Sequence, residues 1–423
     1  MVIMFSFLVV IFVLFFLALC WLRFEWGVFL FLATLPSYLI RLNYFGLPTT
    51  ILELMWGAIV FVWLIKYGRG DLVVIKNFIK ENKIFTILVG LFFLSSLGGV
   101  FISDMWFKSL GQWRAYFFEP VILFFVLIGH WKNLNFRYLI CGLLVSGWLV
   151  SIVAWLQKIS VFFYPPSLWN DAVDGRVTSF FTSPNAVGLF LTPLVPLAIL
   201  VTIKFYQERK WKLFSVGVVT ILVFVGAIFF SFSQGAWIGL GAAFVLGLFL
   251  LGYRKFAVVL AILGVIVALV VAPIRTAVLF QDRASQNRLV LWGDSLSYLT
   301  RDPGNFVFGA GVRQFFRKIE KPHYDAKVME RLIYPHNIFL NFWTEIGLFG
   351  MVSFIGILFF VFRWTIKNKN KILGAMLLAA WTGLVVHGLV DVPYFKNDLA
   401  FLFWILVFFS WALLRAETEF KNV

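Results

Sequence analysis

Apolar residues in this chain run in long blocks rather than in alternation. Blocks long enough to cross hydrocarbon as helices, or nearly so, lie at about 2–22, 26–40, 50–66, 84–103, 116–130, 137–158, 185–203, 214–231, 235–252, 256–273, 338–362, 372–390 and 397–414. The pattern predicts about 12 or 13 transmembrane helices. The count turns on 26–40, which is short and ends Pro36-Ser37-Tyr38-Leu39-Ile40-Arg41, as a tilted or re-entrant piece would. One interval interrupts the blocks: residues 273–336 are mostly polar. They divide the chain into N-terminal helices (1–272), a long loop (273–336) and C-terminal helices (337–423), read as one integrated domain. Within the loop, 286–300 predicts a helix with Arg288 and Trp292 four apart on one face. Arg301-Asp302-Pro303-Gly304-Asn305 then forms a turn cluster that ends it. The apolar, glycine-rich run from Phe306 to Val312 is fit to pack the loop back onto the membrane helices.

Composition fixes the class. The chain is 62% apolar, 20% aromatic and 13% charged, and its mean hydropathy is +0.94. That is too much hydrocarbon for a soluble fold, so the expectation is an all-α polytopic integral membrane protein. Residues 1–22 have the length of a signal peptide but lack a basic start and a small-residue cleavage site, and are read as the first membrane helix. Cys20 and Cys141 lie inside apolar blocks with no disulfide or metal spacing.

The net charge of +16 is spread in short clusters between the blocks, which argues against nucleic acid and for topology. Lys66 to Lys83, Lys132 and Arg137, Lys204 to Lys212, Arg254 and Lys255, and Arg363 to Lys371 mark cytoplasmic loops. Alternation then places 104–115, 159–184, 231–235, 273–336 and 391–396 outside, with a cytoplasmic C-terminus. The 273–336 loop carries ten basic and six acidic residues, a net +4 on the outer side. Long loops translocate regardless of charge. The excess points to an anionic ligand at the membrane surface, against the plainer reading of a solvated, self-paired loop.

Candidate chemistry gathers where that loop meets the next block. His336 follows Pro335 at the outer surface, next to a helix N-terminus, whose positive dipole end favours anionic groups. Asn337, Asn341 and Glu345 are spaced by four and share a stripe of the block that follows. A carboxylate about two turns into a span is a functional candidate by default, with a buried structural network as the alternative. Arg176 stands on the outer side before Ser183-Pro184-Asn185, where Asn185 is placed to cap a helix. Gln234 sits in the turn Ser231-Phe232-Ser233-Gln234-Gly235-Ala236-Trp237. His387 and Asp391, four apart at the end of a late block, are placed to bond to each other or to touch substrate. Arg313 is a further outer cation. No HExxH, P-loop, GxSxG or CxxC motif occurs, and no tight acidic pair faces outward, Asp171 and Asp174 being three apart. No metal or other cofactor is expected, and arginine would have to hold any diphosphate.

The set Arg176…Ser183-Pro184-Asn185, Ser233-Gln234-Gly235-Ala236, Arg288 with Trp292, Phe308-Gly309-Ala310-Gly311, His336-Asn337…Glu345-Ile346-Gly347-Leu348-Phe349-Gly350 and His387…Asp391 resembles the O-antigen ligase and O-antigen polymerase superfamily of bacterial envelope proteins. The ordered match covers roughly 174–398. The resemblance implies a metal-independent, inverting glycosyltransferase of the membrane-helical (GT-C-like) kind in the bacterial cytoplasmic membrane. Such an enzyme moves a glycan from an undecaprenyl-diphosphate carrier to an acceptor hydroxyl, in lipopolysaccharide or other polysaccharide biosynthesis. By position, His336 resembles the ligase histidine proposed to activate or orient the acceptor hydroxyl, and Arg288 an arginine near the donor diphosphate. The family turn often reads Ser-Arg-Gly, and here the neutral Gln234 replaces its arginine. Arg176 and Arg313 are the residues able to compensate. A polymerase with a carrier-linked acceptor uses the same donor site. A lipid-linked sugar transporter is disfavoured because paired intramembrane charges and similar halves are missing. A non-catalytic assembly factor is disfavoured by the outward His336 and Arg288.

Overall fold

A computed structural model describes residues 2–44, 47–159, 175–320, 332–367, 370–412 and 415. These are almost wholly helical, with one short hairpin. In chain order come α1 (Val2–Leu22), α2 (Phe24–Ala33), the hairpin strands β1 (Arg41–Tyr44) and β2 (Leu47–Thr50), α3 (Ile51–Lys66), α4 (Gly68–Glu81), α5 (Lys83–Phe101), α6 (Trp106–Trp113), α7 (Glu119–His130) and α8 (Phe136–Lys158). There follow α9 (Pro184–Leu191), α10 (Leu194–Gln207), α11 (Trp211–Phe230), α12 (Gln234–Leu250) and α13 (Arg254–Val270). The polar loop contributes α14 (Ala272–Val278), α15 (Arg283–Thr300) and α16 (Pro303–Phe308), and the chain closes with α17 (Ile338–Ile366), α18 (Lys371–Gly388) and α19 (Asn397–Ala412).

Among the described residues six helical stretches are long and apolar enough to cross a membrane, or eight if the bent pairs α3–α4 and α9–α10 each count once, and four shorter apolar helices accompany them. The all-α polytopic class holds. Two of the apolar blocks are interrupted. Block 26–40 yields only the 10 residues of α2, about 15 Å of rise against about 30 Å of hydrocarbon. It then turns through Leu35–Leu39, with Pro36 in the first turn, into the hairpin, where Arg41 pairs with Thr50. Block 185–203 bends by 40° between α9 and α10, where Pro193 precedes Leu194.

The chain folds as two compact units. The first comprises Met1–Asn82, Glu119–Phe232 and Lys396–Val423. In it α4 and α19 pack on α7 and α2 lies along α8, around buried rings such as Phe78, Phe124 and Trp411. Thr50 caps α3: its hydroxyl accepts from the Glu53 N–H (3.2 Å) while the Glu53 carboxylate accepts from the Thr50 N–H (3.0 Å).

The second unit comprises Lys83–Phe118 and Ser233–Phe395. Here α12 packs along α18 and α17 along α5. The α12 contact face repeats small residues every fourth position, Gly235, Gly239, Ala243 and Gly247, all buried. A Cβ on Gly239 would stand 2.7 Å from the Gly383 carbonyl oxygen, so the two backbones touch where the glycine allows. α17 breaks at Gly347, whose φ of 75° and ψ of 179° lie in a region that only glycine reaches cheaply. Phe92, Phe342, Phe354, Tyr394 and Phe395 form a ring cluster beside the break's N-terminal side.

Candidate active site

The polar loop is clasped to the second unit by backbone contacts at the glycine-rich run. The N–H of Ala310 donates to the Thr344 carbonyl (2.7 Å) and that of Val312 to the Gly99 carbonyl (2.9 Å). Ser109 Oγ donates to the Val312 carbonyl (2.9 Å) and Gln314 Nε2 to Ser103 Oγ (2.6 Å). The approach is too close for side chains. A Cβ on Gly309 would fall 2.5 Å from the Trp343 carbonyl oxygen, one on Gly99 2.6 Å from that of Glu345, and one on Gly347 against that of Val307. The run thus packs as the sequence predicted, and it docks on the broken turn of α17.

From this clasp the chain returns to His336, which holds a left-handed φ of 51°. Non-glycine residues rarely sit there, and they persist only where their surroundings hold them. Three contacts do so. Trp292 Nε1 donates to the Pro335 carbonyl at 2.9 Å. His336 Nδ1 lies 3.3 Å from Asp391 Oδ1. Asn337, the N-cap of α17, accepts from the N–H groups of Phe339 and Leu340 and donates through Nδ2 to the Leu389 carbonyl (3.0 Å).

Asp391 is buried and also accepts from the Val392 N–H (2.9 Å). Burial alone would push its carboxyl up. The charge and hydrogen bond of the His336 imidazole, with His387 nearby, more than offset this and hold it well below the usual carboxylate range. A carboxylate only accepts, so a hydrogen bond across this contact needs the proton on His336 Nδ1, and in the neutral ring Nε2 is then the acceptor. α18 ends at Gly388, so Asp391 lies beyond the helix that carries His387, and its Oδ1 meets His336. His387 stays buried in the last turn of α18, where a Cβ on Gly235 would sit 3.2 Å from its Nε2. Gln234, the first residue of α12, is half-buried beside that glycine. Arg288, half-exposed on α15, lies within electrostatic reach of the His387 ring. Among the described residues nothing hydrogen-bonds its guanidinium.

Glu345 forms a second polar group with Arg313, Tyr334 and Gln112. The carboxylate is buried at the α17 break; Gln112 Nε2 donates to Oε2 at 3.3 Å, and the Arg313 backbone amide faces it. Oε1 and the whole Asn341 amide, one turn earlier, are buried without hydrogen-bond partners among the described residues. Arg313 is exposed and, like His336, left-handed, with φ of 63°. Burial, with Tyr116 and Glu345 close by, pushes the Tyr334 phenol well up, so it stays a neutral donor, here to the Phe395 carbonyl (3.3 Å).

Arg176 belongs to the first unit. Its Nε donates to the Ser231 carbonyl (3.0 Å), and its Nη2 to Asn185 Oδ1 (3.2 Å) and the Phe232 carbonyl (3.5 Å). Asn185 does not cap α9; Ser183 holds the N-cap position and Asn185 accepts from Arg176 instead. Asp171, Asp174, Lys321, Asp325, Lys327, Glu330 and Arg331 lie outside the described residues. Among the described residues, no three His, Cys, Asp or Glu side chains converge as metal ligands would. Sequence reasoning missed Gln112, Tyr334 and Gly99. Tyr334 carried a signal, being two residues before His336; Gln112 and Gly99 carried none.

Fold and site together define a multi-pass helical membrane protein with a histidine–carboxylate pair beside a basic, polar loop. Residues 219–355 match the family model of O-antigen ligase, and the resemblance read from the sequence stands on that match. The matched stretch contains Gln234, Arg288, Arg313, His336, Asn337 and Glu345. The chain is also 24% identical over 210 residues to an uncharacterized protein of Haemophilus influenzae, across 44% of this chain and 51% of that one. It thus spans about half the length of the curated relative it matches.

Proposed function

We propose that this protein is a membrane glycan-processing enzyme of the ligase and polymerase kind. In this reading it transfers a glycan from an undecaprenyl-diphosphate carrier to an acceptor hydroxyl at the outer face of the bacterial cytoplasmic membrane. The observation that supports it best is the pairing of His336 Nδ1 with the buried Asp391, with a half-exposed arginine, Arg288, within electrostatic reach of the neighbouring His387. The family match over 219–355 supports the same reading.

The steps follow from the side chains. Arg288 holds the diphosphate and stabilises the charge that develops on it as it leaves. The acceptor oxygen attacks the anomeric carbon from the opposite side while its proton passes to His336 Nε2. The bond from the anomeric carbon to the phosphate oxygen breaks, the carrier departs as its diphosphate, and the anomeric centre inverts. Asp391 positions His336 by fixing its tautomer and stabilises the imidazolium that forms. Trp292 links the two halves of the site: it is one turn beyond Arg288 and bonded to the residue before His336. Arg176 is committed to backbone carbonyls in the first unit, so the reading rests on Arg288 rather than on it.

The test is release of undecaprenyl diphosphate by purified protein in nanodiscs, with a lipid-linked oligosaccharide donor, an acceptor panel and EDTA throughout. Wild type should release carrier, and His336→Ala should lose at least about a hundredfold in rate. If wild type binds the lipid but releases no carrier with any acceptor, the enzyme reading fails and transport or assembly takes its place. The productive acceptor decides ligase against polymerase.

A further inference from the structure

α4 has no part in that chemistry, yet it is a built feature of the first unit. It leaves α3 through a 98° bend. Spanning helices tilt on average only about 20° from the membrane normal, so a helix set square to α3 runs along the membrane surface rather than through it. Its inner face is fixed. Asp71 Oδ2 accepts from Trp63 Nε1 at 2.8 Å and lies 2.8 Å from His130 Nδ1. Gly129 lets the backbones close up, since a Cβ there would stand 2.9 Å from Asp71 Cβ, and the Phe78 ring packs edge-on against Phe124 and Trp411.

The outer face combines two chemistries. Leu72 is 47% and Ile79 38% exposed, on the edge next to the buried face. Beyond them Arg69, Lys76 and Lys80, all exposed, fall within an arc of about 40° at 100° per residue, with Val73, 57% exposed, at its far edge. The surroundings mark the depth. Trp21 and Trp26, at the α1–α2 junction, are 44% and 45% exposed. Trp26 packs on Tyr138 (5.1 Å between ring centres). Lys66, at the elbow, reaches the Trp21 carbonyl (2.7 Å) and lies over the Trp21 and Tyr67 rings. Exposed Trp and Tyr with a snorkelling lysine are the mark of the lipid–water boundary.

We propose that α4 is an interfacial helix that binds anionic phospholipid headgroups through Arg69, Lys76 and Lys80, with Leu72 and Ile79 dipped into the acyl boundary. The apolar edge and the basic arc lie side by side, as a headgroup above its own chains requires. A soluble acidic partner would explain the lysines and leave the apolar edge in water.

Two measurements on the full chain test this, in a Cys141→Ser background and in nanodiscs of phosphatidylcholine with or without phosphatidylglycerol. With a nitroxide at Leu72→Cys or at Asn77→Cys, oxygen should relax position 72 preferentially and a water-soluble nickel chelate position 77. Equal access of the chelate to both overturns the interfacial placement. Native mass spectrometry after exposure to equal amounts of the two lipids reads the headgroup preference. Wild type should retain phosphatidylglycerol over phosphatidylcholine by roughly fivefold for each engaged basic residue, and the triple variant R69Q/K76Q/K80Q should fall towards parity. The same ratio in wild type and variant sinks the headgroup assignment.

Discussion

At the scale of single residues, His336 carries the argument because its backbone is strained and its ring is held. Among the described residues the Asp391 carboxylate is what faces Nδ1 and favours a proton there. Asp391→Asn should therefore lower kcat by on the order of a hundredfold or more with little change in donor KM, in the carrier-release assay. The same carboxyl gives a pH signature. It sits below the ordinary carboxylate value in the folded protein, so its stabilisation is complete above the unfolded value of about 4 and is lost as pH falls further. The gap in unfolding temperature between wild type and Asp391→Asn should narrow as pH falls below about 4. This pairing was illegible in the sequence. A spacing of four implies one helix face, and only the early end of α18 at Gly388 sends Asp391 to a partner 55 residues away.

At the scale of elements, α15 and the glycine clasp do the positioning. The face shared by Arg288 and Trp292 was readable from their spacing, and so was the packing role of the run from Phe306 to Val312. What they pack on was not. Gly99 and Gln112 come from the opposite end of the second unit's sequence, and a lone glycine or glutamine in an apolar block announces nothing. Replacing Trp292 with benzothienylalanine keeps the ring against Phe280 but removes the N–H donor. It should lower kcat while leaving unfolding temperature nearly unchanged, whereas a merely structural tryptophan would show no loss. Gly309→Ala and Gly347→Ala should each destabilise by about 1–3 kcal/mol, since both combine positive φ with a carbonyl in the way. Gly90→Ala, which meets nothing within 4 Å, is the matched control and should be close to neutral in thermal unfolding.

At the scale of the whole molecule, the membrane class was legible from composition, because no arrangement of so apolar a chain hides its surface from lipid. The number of spans was less so, since hydropathy does not see a bend at Pro193 or a 10-residue helix ending in a hairpin. The basic clusters predict that 273–336 faces outward and that the segment around 204–212 faces the cytoplasm. In a Cys141→Ser background on intact cells, a membrane-impermeant thiol reagent should label Gln281→Cys and spare Lys210→Cys; the reverse would invert the orientation. The break at Gly347 bears on where the bilayer begins. From Gly347 to Ile366 α17 rises about 30 Å, the thickness of the hydrocarbon by itself. The turns before the break, with Asn341 and Glu345, are then surplus to the crossing. Their buried polar atoms are enclosed by protein neighbours, not by lipid tails, so lengthening or thinning the surrounding bilayer should shift the lower segment of α17 and leave the end that carries Asn337 in place.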